Sequence, residues 1–151
     1  MRKLMILVTL LTLIAVLAAC GGTSTTGGGG ASSAGDPPEV VARNWFTAYL
    51  NADPDAAANL TCTPQRDSMR AGVQAFADAQ AAAPTQGEFD LSGLNFTIDS
   101  QSENTATLSA SGSIRVTIAG QTVEQSVDQF GIPVTVELAL EGSSWLVCPP
   151  S

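Results

Sequence analysis

From residue 106 to residue 118 this chain places apolar side chains on the even positions: Ala106, Leu108, Ala110, Ile114, Val116 and Ile118, with Gly112 in the series. Their odd-numbered neighbours are Thr, Ser and Arg. A period of two held over that length fits a β-strand with one face buried and one wet. Such strands belong to antiparallel sheets covered on one side. Gly112, in mid-strand, marks a kink or bulge where the sheet bends. Leu94, Phe96 and Ile98 show the same alternation before it, against Asn95, Thr97 and Asp99. After it, Val123 and Val127 are followed by Ile132, Val134, Val136, Leu138 and Leu140, so the apolar parity changes from odd to even. A one-residue slip of that kind predicts a bulge near Gln129-Phe130-Gly131. Turns at Ser102-Glu103-Asn104, Ala119-Gly120-Gln121 and Glu141-Gly142-Ser143 divide the run into four strands. The last strand is Trp145 to Cys148, stopped by Pro149-Pro150.

Upstream of Glu88 the spacing is helical. Three times a capping residue precedes proline: Asp36-Pro37, Asp53-Pro54 and Thr63-Pro64. Asp or Thr at the N-cap satisfies orphan N–H groups, and proline suits the first turn, where its missing donor costs nothing. Glu39, three residues after Asp36, adds the look of a capping box. The expected helices are 37–51, 54–60 and 64–82. The first carries Val41, Trp45 and Ala48 on one face with Tyr49 beside them, and the third carries Met69, Val73, Phe76 and Gln80 at helical spacing. Aromatics so spaced are read as core packing. Pro84 and Gly87 end the helical part. The predicted fold class is α+β: N-terminal helices packed on a curved four-stranded antiparallel sheet.

The N-terminus has a separate logic. Met1-Arg2-Lys3 is a charged start, residues 4–17 are apolar, and small residues follow, which is the layout of a secretory signal. The apolar run is shorter than the roughly 20 residues of a spanning helix. That argues against an uncleaved anchor. Leu17-Ala18-Ala19-Cys20, followed by Gly21, resembles a bacterial lipobox. The resemblance implies a diacylglyceryl group on the Cys20 thiol and cleavage that leaves Cys20 as the new N-terminus. A plain secretory signal cut near Ala19 is the weaker alternative. Residues 21–35 are almost all Gly, Ser, Thr and Ala, a composition that cannot bury enough surface to fold. As a flexible linker it spans on the order of 20 Å. A phosphate-binding glycine loop is rejected there, because no strand precedes it and no Lys follows. The expected organisation is therefore signal peptide 1–19, lipidated cysteine and linker 20–35, and one α+β domain 36–151, on the extracytoplasmic face of the cell membrane.

Composition narrows the chemistry. Without Arg2 and Lys3, only Arg43, Arg66, Arg70 and Arg115 stand against fourteen carboxylates. So acidic a domain repels nucleic acid and anionic headgroups, and no nucleic-acid partner is expected. The chain has no His, which removes the commonest general base, the commonest zinc ligand and every Ser-His triad. No metal and no cofactor is expected. With Cys20 lipidated, Cys62 and Cys148 are left as an even pair in an exported domain, which predicts a structural disulfide. A redox-active pair would need closer spacing and an activating partner. Asn59-Leu60-Thr61 and Asn95-Phe96-Thr97 fit the glycosylation sequon and are read as chance.

The stretch from Val40 to Ala57, VARNWFTAYLNADPDAA after its first Val, resembles the opening of nuclear transport factor two-like domains. Gly142-Ser143-Ser144-Trp145-Leu146-Val147-Cys148 is similar to the Gly-x-x-Trp final strand of small bacterial lipoproteins in that superfamily. The resemblance implies a cystatin-like cone with a pocket between the concave sheet and the helices. Relatives use that pocket variously, and some, ketosteroid isomerases and scytalone dehydratases among them, are enzymes. The expected function is a membrane-tethered, non-enzymatic module that binds a small apolar ligand or an envelope protein. The alternative is an isomerase- or dehydratase-like enzyme, with Tyr49 as hydrogen-bond donor and Asp67 or Asp128 as base in the pocket. A regulatory or structural envelope partner binding through a sheet face or edge is a third reading. Convergence of Tyr49 with an acid inside an open cavity would favour the enzyme; a cavity filled by Trp45, Phe76, Phe96 and Phe130 would favour the binding module.

Overall fold

A computed structural model describes residues 35–83, 87–130 and 133–150. The signal, Cys20, most of the linker, Pro84 and the stretch 131–132 lie outside the described residues, as does the side chain of Phe130. The described elements run α1 (Pro38–Leu50), α2 (Pro54–Asn59), α3 (Arg66–Ala82), β1 (Gly87–Asp90), β2 (Leu94–Gln101), β3 (Thr105–Ile118), β4 (Gln121–Ser126), β5 (Thr135–Glu141) and β6 (Ser144–Val147). The architecture is α+β, with helices against a curled antiparallel sheet.

The sheet has six strands rather than four, but they lie in four lanes. β3 is the central lane. β2 pairs along its first half and β1 along its second half, on one side. On the other side β5 pairs with the first half and β4 with the second. β6 extends the sheet beyond β5. The two lanes flanking β3 are broken where it bends. Gly112 there has φ +101°, a conformation L side chains rarely adopt. A Cβ on Gly112 would lie 2.1 Å from the Gly93 carbonyl oxygen, and the Ser113 N–H donates to that same oxygen at 3.2 Å. The bend foreseen at Gly112 is thus a backbone-to-backbone contact with the Leu91–Gly93 break.

The expected bulge near residue 130 takes a different form. The chain leaves its lane after Ser126, makes a 3₁₀ turn over Val127–Phe130 and rejoins at Thr135. A turn absorbs the change of parity because the sheet is bent there: β4 follows the outer arm while β5 follows the inner one. Val127 opens that turn and is buried in the core, not carried on a strand. The β3–β4 hairpin is a two-residue turn with positive φ at both Ala119 (51°) and Gly120 (79°), the twist that matches paired strands.

Two helix starts also differ from expectation. Pro37 holds the N-cap of α1 with no side-chain cap, so Asp36 lies one residue outside the capping position. A residue before proline is kept extended, and Pro38 therefore fixes the start of the helix. Thr63 and Pro64 form a 3₁₀ turn with Gln65, and α3 begins at Arg66. Asp53 does cap α2, accepting the Ala56 N–H at 2.9 Å.

The core lies between α1 and the concave face of the inner sheet. Val41, Ala42, Trp45, Phe46 and Leu50 meet Leu94, Leu108, Ile114, Val136, Leu138 and Val147. α3 sits outboard: of its residues only Val73 is fully buried, in a small cluster with Ala48 and Ala57. The Gly112 bend predicts a sharp mutational response. Gly112→Ala must displace the Gly93 backbone and hold a strained φ, costing about 2 kcal/mol or more, or a fall in Tm on the order of 10 °C. Thermal unfolding followed by circular dichroism measures it, with Gly72→Ala as the comparison: there a Cβ meets nothing within 4 Å and the helix should gain up to about 1 kcal/mol.

Candidate functional site

The helical spacing of α1 puts Trp45 and Tyr49 one turn apart, and the fold extends them into a continuous line of rings. Phe76 of α3 stacks on Tyr49 at 5.8 Å, and Tyr49 stacks on Trp45 at 5.6 Å. Trp45 meets Phe46 edge-on at 5.2 Å, and Phe46 leans on Phe96 of β2 at 5.3 Å. Arg43 ends the line, its guanidinium 5.7 Å from the Phe96 ring centre. The same guanidinium donates to the carbonyls of Leu91 and Leu94, at 3.2 and 2.6 Å, beside the sheet break. Each ring pair adds about 0.5–1.5 kcal/mol beyond the area it buries. The indole N–H of Trp45 is satisfied too: it donates to Thr61 Oγ1 at 2.9 Å, and the Thr61 hydroxyl donates to the Ala57 carbonyl at 2.8 Å. Thr61 is fully buried, so this relay satisfies polar groups that would otherwise be costly there.

The residues considered for catalysis do not converge. Tyr49 is half-buried between the Trp45 and Phe76 rings. Asp67, on the outer side of α3, has a side chain 99% exposed and paired with Arg70 at 3.3 Å. Asp128 is exposed on the 3₁₀ turn after β4. A depression of about 500 Å³ beside Tyr49 is lined by Pro64, Gln65, Ser68, Met69, Gly72 and the two C-terminal prolines, none of them an acid. No group of three or more Cys, Asp and Glu capable of holding a metal occurs among the described residues.

A concave site does form where α1 meets the end of the sheet. Trp45, Phe46, Val136 and Val147 floor a groove of about 240 Å³, walled by Thr135, Glu137, Pro149 and Pro150. Its lining was only half legible in the sequence. Trp45 stood out by helical spacing, but Val136, Val147 and the two prolines are drawn together by strand pairing and by the disulfide. Cys62 and Cys148 are bonded across 86 residues, with Cα atoms 5.0 Å apart. Around the bond the chain adds a short parallel bridge: Cys62 N–H donates to the Val147 carbonyl and Val147 N–H to the Leu60 carbonyl, both at 2.8 Å. In the chain-entropy model a loop of this length contributes roughly 4–5 kcal/mol.

The seam has a polar lock. Glu141, at the end of β5, accepts the Thr63 hydroxyl at 2.5 Å and the Thr63 N–H at 3.0 Å. The Thr63 side chain, expected to cap a helix, is used here instead. These two bonds hold the Glu141 carboxyl below its ordinary range, with Arg66 adding a smaller pull. On the outer, polar face of the sheet, bonds from Ser92 lower Asp90 and a bond from Ser113 lowers Glu124, each helped by Arg115.

No protein-family model matches the chain, and no curated protein matches it. Among solved structures it is similar to the solution structure of a SEC-C motif containing protein from Rhodopseudomonas palustris. The two are 18% identical, the match covers 78% of this chain and 79% of that one, and the TM-score is 0.49.

The seam makes stability depend on acid in a defined direction. Because the folded state lowers the Glu141 carboxyl, its contribution is present above the ordinary value of 4.5 and is lost as pH falls through the folded value. Glu141→Gln should lower stability at neutral pH by about 1 kcal/mol, at the modest end for a solvent-reachable charged hydrogen bond. The variant and parent should then approach each other as pH falls from 4.5 through the lowered value of the folded state. Urea unfolding at a series of pH values checks this; a difference independent of pH would refute it.

Proposed function

We propose that the chain is a bacterial lipoprotein, anchored through Cys20 on the extracytoplasmic face of the membrane. Its domain, of the nuclear transport factor two-like, cystatin-like class, acts there as a non-enzymatic binding module. The observation that carries the second half is the line of rings from Phe76 to Phe96. Side chains of the domain itself occupy the space between helices and sheet, while Asp67 and Asp128 stand in solvent. General acid–base work requires a donor and a carboxylate within reach of one substrate atom, and this arrangement does not supply them. A recognition function needs only a shaped surface, and the groove beside Trp45 and Phe46 is such a surface. For the anchor, the support is the lipobox-like sequence, a Gly-rich tether and a disulfide suited to an oxidising compartment. Among the described residues no helix is long and apolar enough to cross a membrane. Two or three acyl chains, at about 0.8 kcal/mol per buried CH₂, would suffice to hold the domain at the surface.

The test uses the full chain in a bacterial host. An alkynyl palmitate label should enter the parent protein, and Cys20→Ser should lose the label and leave the membrane fraction. A photo-crosslinking residue at Pro150, on the groove wall, should give a discrete adduct in cells, while one at Thr117 on the polar face should not. Equal adducts from both positions, or a turnover with steroid or hydroxyketone substrates abolished by Tyr49→Phe, would overturn the proposal.

A further inference from the structure

The groove borders a place where the sheet ladder stops. Even-numbered residues of β5 turn their backbone groups toward β3: Ala110 N–H donates to the Val134 carbonyl at 2.6 Å, and Leu140 N–H donates to Asn104 at 2.9 Å. Odd-numbered residues turn theirs toward the β6 side, where Cys148 N–H donates to the Glu137 carbonyl at 2.8 Å. Backbone direction alternates along a strand, so Thr135 presents its N–H and carbonyl to that same side. Continued past Cys148, the pairing sets Pro150 opposite Thr135, and no backbone bond joins the two among the described residues. Pro149 and Pro150 carry no N–H, and the chain turns off to form the groove wall. Thr135 is exposed, and an apolar floor lies next to it.

We propose that this edge docks an extended, basic-apolar peptide segment of another protein at the membrane surface, added as a strand in the lane that β6 vacates. The inference deepens the binding-module reading and rests on it. Strand addition draws affinity from main-chain bonds and specificity from pockets for alternate side chains. Both parts are present, on a short edge: the Thr135 N–H and carbonyl, with Pro133 on the same side offering a carbonyl alone, and the hollow over Trp45 and Phe46. Volume favours a side chain over a free ligand, since about 240 Å³ is below the roughly 300–1,000 Å³ of sites that enclose drug-sized molecules. Charge favours a basic segment. Glu137 is the one charged residue in the groove lining. The four arginines of the domain are already hydrogen-bonded within it, Arg43 and Arg66 to carbonyls, Arg70 and Arg115 to carboxylates. An acidic surface with its cations so committed attracts positive segments and repels negative ones.

The probes are three six-residue peptides, capped at both ends, binding to the oxidised domain in a fluorescence-anisotropy titration. One alternates Lys with Leu, one alternates Glu with Leu, and one is the Lys–Leu peptide N-methylated at alternate residues. The Lys–Leu peptide should bind at least about tenfold more tightly than either of the others, a factor set by loss of a charge match or of main-chain bonds. Thr135→Pro keeps the β3 ladder, because the lost N–H faces the open side, and should weaken the Lys–Leu peptide by a similar factor with unchanged thermal unfolding. Glu137→Lys should reverse the charge preference. Equal binding of the N-methylated peptide, or full binding to Thr135→Pro, overturns strand addition. Binding of palmitate vesicles or free fatty acid at Pro150-crosslinkable sites without peptide binding also overturns it, while leaving the binding-module reading in place. Loss of both peptide binding and the in-cell Pro150 adduct removes that reading as well.

Discussion

Every lane of the sheet depends on β3, and β3 depends on Gly112. Four of the other five strands hydrogen-bond to it, two along each half. A straight strand of that length would carry a flat sheet that one short helix could not cover. The bend at Gly112, made possible by its positive φ and by the close approach of the Gly93 carbonyl, turns the second half away. The first half then wraps α1, and its side chains at Ala106, Leu108 and Ala110 are buried. The second half keeps Ile114 in the core and then runs out as an arm, where Ile118 and, on the paired β4, Val123 remain exposed. One backbone contact thus separates core sheet from outer arm.

The other end of the sheet is closed by chemistry of a different kind. β6 is short, and alone it would fray. The disulfide and the parallel bridge at Thr61 tie it to the segment between α2 and α3, and the Glu141–Thr63 lock ties the end of its neighbour β5 there too. Tying β6 there also fixes where it stops. The groove beside Trp45 follows from that stop, since Pro149 and Pro150 diverge from β5 directly after the bonded cysteine. The covalent closure and the groove thus share the same few residues, with the aromatic line packed behind the floor.

The division between what could be read in the residues and what could not follows the range of the forces involved. Period-two alternation, the Gly112 bend, the hairpin at Ala119-Gly120 and the face bearing Val41, Trp45 and Ala48 are local patterns, and all four appear. The split of the lanes flanking β3 was not legible, because it answers to a bend in a neighbouring strand. The fate of Thr63 was not legible either: its nearest polar partner in space, Glu141, is 78 residues away. Asp67 and Asp128 were candidate bases by residue type alone, and the fold sends both to solvent.

By itself the sequence determined an α+β order, the strand alternation, the acidic balance and the pair of cysteines, because each is written in neighbouring residues or in composition. Tertiary structure alone decided that six strands share four lanes, that the aromatic residues form one line, and that a groove opens beside β5 where β6 ends. Those features arise where segments distant in the chain meet, and no local periodicity records which segments those will be.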